Sequence, residues 1–163
     1  MIRSNYHTHT FRCGHAIGSD EEYVLQAIGL GLQKLGFSDH VMLENITQEN
    51  VRGNFSARIG YFNSIRDLAN HYQERIKIYL GFEAEPLKEY FPYYRSLLES
   101  GTIDYLILGN HCTLDKGILR AFFGKNTSKK SLYEYRDTLI RGLETGLFSC
   151  IAHPDYFMDS YLK

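Results

Sequence analysis

Residues 5–10 read Asn-Tyr-His-Thr-His-Thr and lie at the end of a segment that is predicted to be a short strand. Residues two apart on a strand point to the same side of the sheet, so His7 and His9 can present two imidazoles to one metal ion. A single His-x-His pair is weak support for such a site. The pair carries weight here because four further histidines and a glutamate recur at comparable positions downstream.

Five short, mostly apolar segments are predicted to be strands. They cover residues 2–9, 35–40, 76–82, 105–109 and 150–152. Four helices are predicted between them, beginning at Ser19, spanning 56–74 and 89–99, and running from Ser131 to Gly146. Strands that alternate with helices predict an α/β fold with a parallel sheet, and the sequence indicates one domain over residues 1–163.

Local signals mark where two helices begin and which helix faces are expected to be buried. Ser19 with Glu22, and Ser131 with Glu134, have the spacing of a capping box, in which both side chains bond the backbone of the first turn. The faces expected to be buried comprise Val24, Leu25, Ile28 and Leu32 in the first helix, and Ile59, Phe62, Ile65, Ala69 and Tyr72 in the second. We expect these faces to pack against the sheet.

Candidate metal ligands occur at the carboxyl ends of the predicted strands. They are His7 and His9 after the first strand, His15 in the following loop, His40 after the second, Glu83 after the third, His111 after the fourth and His153 after the fifth. Parallel strands bring their carboxyl ends to one edge, where α/β proteins build their sites. Since the two oxygens of a carboxylate can bridge neighbouring cations, the sequence predicts a site for several metals around Glu83.

Three other carboxylates are assigned secondary roles. Asp39 is expected to face away from the histidine after it, and either to orient a ligand or to bond the backbone. Glu85 is expected to point away from Glu83, or to leave in the following loop, and so to support other residues. Asp155 shares the side of His153 only where the backbone stays extended through the intervening proline.

The remaining histidine and the basic residues are predicted to be structural or solvated. His71 lies inside the second predicted helix, away from any strand end, and is expected on the helix surface or partly buried. A loosely basic stretch comprises Lys116, Arg120, Lys125, Lys129 and Lys130. Most such stretches are solvated, although one member near the site could contact a phosphate.

Composition argues against several classes of protein. The net charge of -1 gives no basic footprint for nucleic acid. No apolar run approaches the length that spans a membrane, and the N-terminus lacks the apolar region of a signal peptide. Three cysteines, odd in number and far apart, fit reduced thiols, so we expect a cytoplasmic protein.

Five motifs in order resemble those of the PHP (polymerase and histidinol phosphatase) superfamily. They are His7-Thr8-His9, Gly36-Phe37-Ser38-Asp39-His40, Gly81-Phe82-Glu83-Ala84-Glu85, Gly109-Asn110-His111 and Ala152-His153-Pro154-Asp155. The linking stretches, such as Gly14-His15-Ala16, are similar to the histidinol-phosphatase branch. The resemblance extends over essentially all of the sequence.

This resemblance implies a distorted (β/α)₇ barrel with a trinuclear centre of Zn, Mn or Fe, and two to three divalent metals in the intact protein. By motif, His7, His9 and Glu83 would hold the first metal; Glu83, His111 and His153 the second; His15 and His40 would contribute to the third. The implied reaction is hydrolysis of a small phosphomonoester, foremost L-histidinol phosphate. The catalytic residues would include Glu83. The proton for the leaving group would come from Asp39, from Asp155 or from a residue beyond the sequence.

The sequence departs from the family pattern at its end. Family members carry a late Asp-x-His motif that completes the first and third metals, and no such motif precedes Lys163. Five strands cannot close a seven-stranded barrel, so we expect an incomplete barrel, truncated at the C-terminus, that is a poor catalyst alone. The alternatives are a PHP phosphoesterase of other specificity and a non-catalytic metal-binding module.

Overall fold

The structure is a computed structural model that describes residues 2–123 and 128–158. Its strands are β1 (Ser4–Asn5), β2 (Lys34–Phe37), β3 (Lys77–Ala84), β4 (Tyr105–Leu108), β5 (Cys112–Asp115), β6 (Ile118–Ala121) and β7 (Cys150–Ile151). Its helices are α1 (Asp20–Gly29), α2 (Arg58–His71), α3 (Phe91–Glu99) and α4 (Lys129–Glu144). Within the described ranges, no helix combines the length and the apolar character needed to cross a membrane.

Five strands form one parallel sheet in the order β1-β2-β3-β4-β7, which follows the order of the chain. The sheet curls into a half-barrel, as an incomplete PHP barrel would. The predicted α/β class and parallel sheet are therefore confirmed. Strand β3 lies at the centre of the sheet and carries Glu83 near its carboxyl end.

Helix α1 begins where the sequence predicted, and helix α4 does not. Ser19 caps α1, and both bonds of the capping box with Glu22 are present. In α4 the cap is Ser128, whose side chain accepts a hydrogen bond from the backbone N–H of Ser131. The predicted cap at Ser131 was wrong because an equally good capping residue lies three positions earlier.

The buried helix faces differ in part from the predicted ones. Val24 of α1 and Ile65 of α2 are fully buried, as predicted, but Leu25 and Ile59 are about half exposed. In α2 the ring of Tyr61 takes the buried position instead, and its hydroxyl donates to the carbonyl of Gly81 on β3. A helix buries residues three and four apart, so Tyr61 and Ile65 belong to one face.

Strand β1 is shorter than predicted, and the β5–β6 hairpin was not predicted at all. Because β1 ends at Asn5, His7 and His9 follow the strand rather than lie on it. The hairpin turn contains Lys116 and Gly117, both with positive φ, which is the geometry of two-residue hairpin turns. Its sequence lacks the Asn-Gly or Asp-Gly signal that usually marks such a turn.

Candidate metal centre

Glu83 is the centre of the site. Its carboxylate is 1% exposed and projects from β3 into a group of histidines. The two carboxylate oxygens face different histidine pairs, and these pairs follow strands that lie to either side of β3 in the sheet. This arrangement places one acidic side chain in two separate clusters of potential metal-binding atoms.

The first cluster joins one oxygen of Glu83 to the two N-terminal histidines. Glu83 Oε2 lies 3.2 Å from His7 Nε2 and 3.1 Å from His9 Nε2. The two Nε2 atoms are 3.0 Å apart. Three ligands around a tetrahedral zinc ion with bonds near 2.0 Å would be separated by ~3.3 Å. The triangle therefore has nearly the size that one transition-metal ion requires.

The second cluster joins the other oxygen of Glu83 to the histidines after β4 and β7. Glu83 Oε1 lies 2.9 Å from His153 Nε2 and 3.3 Å from His111 Nε2, and the two Nε2 atoms are 3.3 Å apart. His153 has a φ of 30°, which residues other than glycine seldom adopt. Such backbone strain persists where the surrounding structure imposes it, often at functional sites.

A third group is formed by His9, His15 and His40, whose ring nitrogens lie within 4.8 Å of one another. His15 Nδ1 is 3.1 Å from the carbonyl oxygen of Cys13. A carbonyl only accepts hydrogen bonds, so His15 donates from Nδ1, and Nε2 is the nitrogen that a metal could bind. Burial lowers the pKa of His40 to about 3, which keeps this ring neutral and able to coordinate.

The charge of Glu83 is maintained by its neighbours. Burial alone would raise the pKa of the carboxyl, but hydrogen bonds from the rings of His111, His153, His7 and His9 outweigh it and hold the pKa well below its usual range. The carboxylate is thus ionised, and four histidine nitrogens that could bind a metal lie close to it. Among the described residues, His40 Nδ1 is buried without a hydrogen-bond partner, as is expected of a nitrogen that binds a metal ion. The donor set fits divalent transition metals.

Glu85 does not point away from the site, and that expectation was wrong. Residues two apart along an extended chain share a side, so Glu85 follows Glu83 toward the histidines. Its Oε1 lies 3.3 Å from His111 Nδ1 and accepts a hydrogen bond of 2.8 Å from the guanidinium of Arg52. Glu85 therefore contacts the ring of His111, and its role as a supporting residue stays a prediction.

Arg52 is a buried cation that the sequence did not single out. Its side chain is 0% exposed and also donates to the carbonyl of Val41 at 2.8 Å. Burial alone would raise the pKa of Glu85. The positive charge of Arg52 and, to a lesser extent, the hydrogen bond from His111 outweigh burial and lower this pKa to about 2. Burial would lower the pKa of His111, but Glu83 and Glu85 raise it to about 9.

Asp39 is buried and fully engaged by the loop after His9. Its Oδ1 accepts from the backbone N–H of Thr10 and its Oδ2 from the Thr10 hydroxyl, both at 2.6 Å. The Cys13 thiol also donates to Oδ1, at 3.2 Å. Through these bonds Asp39 holds the loop by bonding its backbone, which is one of the two roles expected for it. Both oxygens of the carboxylate are therefore occupied, whereas a proton donor would need one of them free.

The other predicted positions lie apart from the clusters. Asp155 is exposed on the turn after His153, and His71 is exposed at the end of α2. Arg120 pairs with Asp115 at 2.9 Å on the β5–β6 hairpin. Lys116 is on the same hairpin, Lys129 and Lys130 are in the first turn of α4, and Lys125 lies outside the described residues.

Gly109 leaves room for the central carboxylate, and Gly109→Ala should disturb it. A Cβ at this position would lie 2.6 Å from Cγ of Glu83, closer than such atoms approach. We expect the variant to lose about 1–3 kcal/mol of unfolding free energy by urea denaturation and to bind Zn²⁺ more weakly. Gly60→Ala is the control, since a Cβ there meets nothing within 4 Å and helix α2 should gain stability. Equal behaviour of the two variants would contradict the close approach.

Comparisons with known proteins identify the family of this chain. The family described as PHP domain matches residues 5–162. The chain is 29% identical over 153 residues to a Deinococcus radiodurans protein named "Probable histidinol-phosphatase", and the match covers 91% of this chain and 59% of that protein. The chain therefore spans 59% of the length of this curated relative.

Two solved structures share the fold. Histidinol phosphate phosphatase of Lactococcus lactis subsp. lactis, complexed with zinc, L-histidinol and phosphate, superposes with a TM-score of 0.71 at 20% identity, over 94% of this chain and 58% of that one. A candidate histidinol phosphatase of Listeria monocytogenes gives a TM-score of 0.60 at 21% identity, over 87% and 60%. At these identities the likeness shows the fold alone.

Proposed function

The chain belongs to the PHP-domain family, and on that premise we propose that it forms the metal-binding part of a metal-dependent phosphomonoester hydrolase. The substrate that we favour is L-histidinol phosphate, cleaved to L-histidinol and phosphate as a step of histidine biosynthesis. Support for this choice comes from the relative named as a histidinol-phosphatase and from the histidinol-phosphatase motifs of the sequence. Residues 1–163 are proposed to be one domain, and the cytoplasmic location predicted from the cysteines is retained.

One observation carries the proposal: Glu83 contributes one oxygen to each of two histidine clusters. A carboxylate in this position would hold two divalent cations at a fixed separation, as two-metal hydrolases require. His7 and His9 would complete the first position, and His111 and His153 the second. His9, His15 and His40 mark where a third cation would bind in the whole protein.

The protein residues have distinct tasks in the proposed reaction. Divalent cations bound here would supply Lewis acidity, which neutralises charge on the phosphoryl oxygens and lowers the pKa of water. Glu85 orients His111 through Nδ1, so that Nε2 faces Glu83. Arg52 keeps Glu85 ionised in its buried position. These contacts hold the ligands in place before substrate arrives, which limits the reorganisation needed for reaction.

The leaving alkoxide needs a proton, and Asp155 is the acid that we propose as its donor. Asp39 is committed to Thr10 and Cys13, whereas Asp155 is exposed on the turn that positions His153. A general acid must be within reach of solvent or substrate to be reprotonated after each turnover. An acid outside this sequence remains the alternative donor.

The activity is tested by phosphate release from L-histidinol phosphate in the presence of added Mn²⁺ or Zn²⁺. Release that depends on metal and fails with a panel of other phosphoesters would support the proposal. Faster release from a phosphopeptide or a nucleotide end would assign a different substrate to the same chemistry. Metal binding without hydrolysis of any ester would favour the non-catalytic module.

Metal content is the first quantity that we expect to confirm the site. Protein purified without chelator should contain at least one Zn, Mn or Fe ion per chain, measured by elemental analysis. His111→Ala should lower this content because the second cluster loses one of its three groups. His71→Ala is the matched control, since His71 is exposed at the end of α2 and contacts none of the candidate ligands. A metal-free wild-type protein would contradict the proposed centre.

A further inference from the structure

The thiol of Cys13 lies between two of the histidines of the centre. Cys13 ends a 3₁₀ turn just after the His-Thr-His stretch and is 1% exposed. Its Sγ lies 3.4 Å from His9 Nδ1 and accepts the backbone N–H of His40 at 3.3 Å. One buried sulfur thus contacts the loop after β1 and the segment after β2.

The direction of each hydrogen bond at this sulfur can be assigned. Asp39 already accepts from the backbone and the hydroxyl of Thr10, and an ionised carboxylate donates none. The contact of 3.2 Å between Cys13 Sγ and Asp39 Oδ1 is therefore made by the S–H group as donor. The lone pairs of the sulfur remain to accept, and the N–H of His40 uses one of them.

The second lone pair faces the ring of His9. When a metal ion replaces the proton on Nε2, the remaining proton of the His9 ring is on Nδ1 and can be donated to the sulfur. His9 Nε2 lies 3.1 Å from Glu83 Oε2 and 3.0 Å from His7 Nε2, in the first cluster. Metal-binding histidines usually donate their other N–H to a carboxylate, a carbonyl or water, and this contact fixes the ring.

We propose that Cys13 is a positioning residue: its sulfur accepts a hydrogen bond from His9 Nδ1–H and thereby directs His9 Nε2 at the metal position shared with His7 and Glu83. The inference rests on the proposed metal centre. Cys13 would then act on His9 as Glu85 acts on His111, by a contact with Nδ1 of the ring. Asp39 supports the arrangement by accepting the hydrogen bond of the thiol proton, which leaves the sulfur lone pairs to accept.

Zinc affinity of three variants tests the proposal. Competition with a chromophoric chelator should show that Cys13→Ala weakens Zn²⁺ binding by about 10- to 100-fold. Cys13→Ser should lie between wild type and Cys13→Ala, because a hydroxyl also donates and accepts but reaches less far than a thiol. Cys112→Ala is the control for loss of a buried thiol, since Cys112 is 4% exposed. It should bind Zn²⁺ as wild type does.

The position of the proton on the His9 ring gives a second readout, which does not depend on affinity. Long-range ¹H–¹⁵N spectra of the Zn²⁺-bound wild-type protein should show His9 protonated on Nδ1, and Cys13→Ala with Zn²⁺ should show a mixture of tautomers. His9 unprotonated on Nδ1, or equal affinity of Cys13→Ala and Cys112→Ala, would overturn the role of Cys13 alone. A wild-type protein that binds no Zn²⁺ would overturn the metal centre and this inference together.

Discussion

Glu83→Gln should remove bound metal and abolish phosphate release. The substitution keeps the size of the side chain but replaces one oxygen by an NH₂ group, which cannot bind a cation. Because each oxygen of Glu83 serves a different histidine cluster, both metal positions lose their shared charge. We expect Zn²⁺ affinity to fall by at least about 100-fold, measured by chelator competition, with hydrolysis below detection.

Glu85→Gln is the matched control for this experiment. Glu85 is as buried as Glu83 and two residues away, but it contacts His111 on the side away from the cluster. The amide can still accept from Arg52, so we expect a milder loss of about 10-fold in affinity. A larger effect of Glu85→Gln than of Glu83→Gln would show that Glu85, not Glu83, is the bridging carboxylate.

Arg52→Met should be the most destabilising of the single substitutions considered. The guanidinium is buried and bonds Glu85, the carbonyl of Val41 and the side chain of Gln48. Its removal leaves the carboxylate of Glu85 buried without its counter-ion. Breaking such a pair costs about 3–5 kcal/mol of unfolding free energy, which urea denaturation would measure.

Two further variants separate lost charge pairing from lost packing. Arg120→Met breaks the exposed pair with Asp115 and should cost at most about 1 kcal/mol. The double variant Arg52→Met, Glu85→Gln removes both charges and should recover part of the stability lost by Arg52→Met. If the unfolding free energy of Arg52→Met lay within ~1 kcal/mol of the wild-type value, the buried pair would contribute little to stability.

The sequence was sufficient to place the histidines and the strands that carry them. An apolar run followed by a polar residue marks the carboxyl end of a buried parallel strand, and five such runs predict one shared edge. Glu83, His111 and His153 meet there, as that rule requires. Their roles as ligands stay predictions that the experiments above address.

Contacts made from loops could not be predicted in the same way. Arg52 and Cys13 come from segments without a regular period, so neither pattern nor propensity indicates that they are buried. Cys13 lies between His9 and His15 in the sequence, and this proximity is the signal that could have indicated the sulfur contact. The position of Glu85 was predictable, since the two-residue period of an extended chain already places it beside Glu83.

The order of strands in the sheet has a consequence for how the protein folds. Because spatial order follows chain order, each new strand can pair with the exposed edge of the strand made before it, from β1 to β4 and then β7. His7 and His9 follow β1 and Glu83 lies on β3, whereas His111 follows β4 and His153 follows β7. During synthesis from the N-terminus, the first cluster can therefore assemble while the two histidines of the second, His111 and His153, are still being translated.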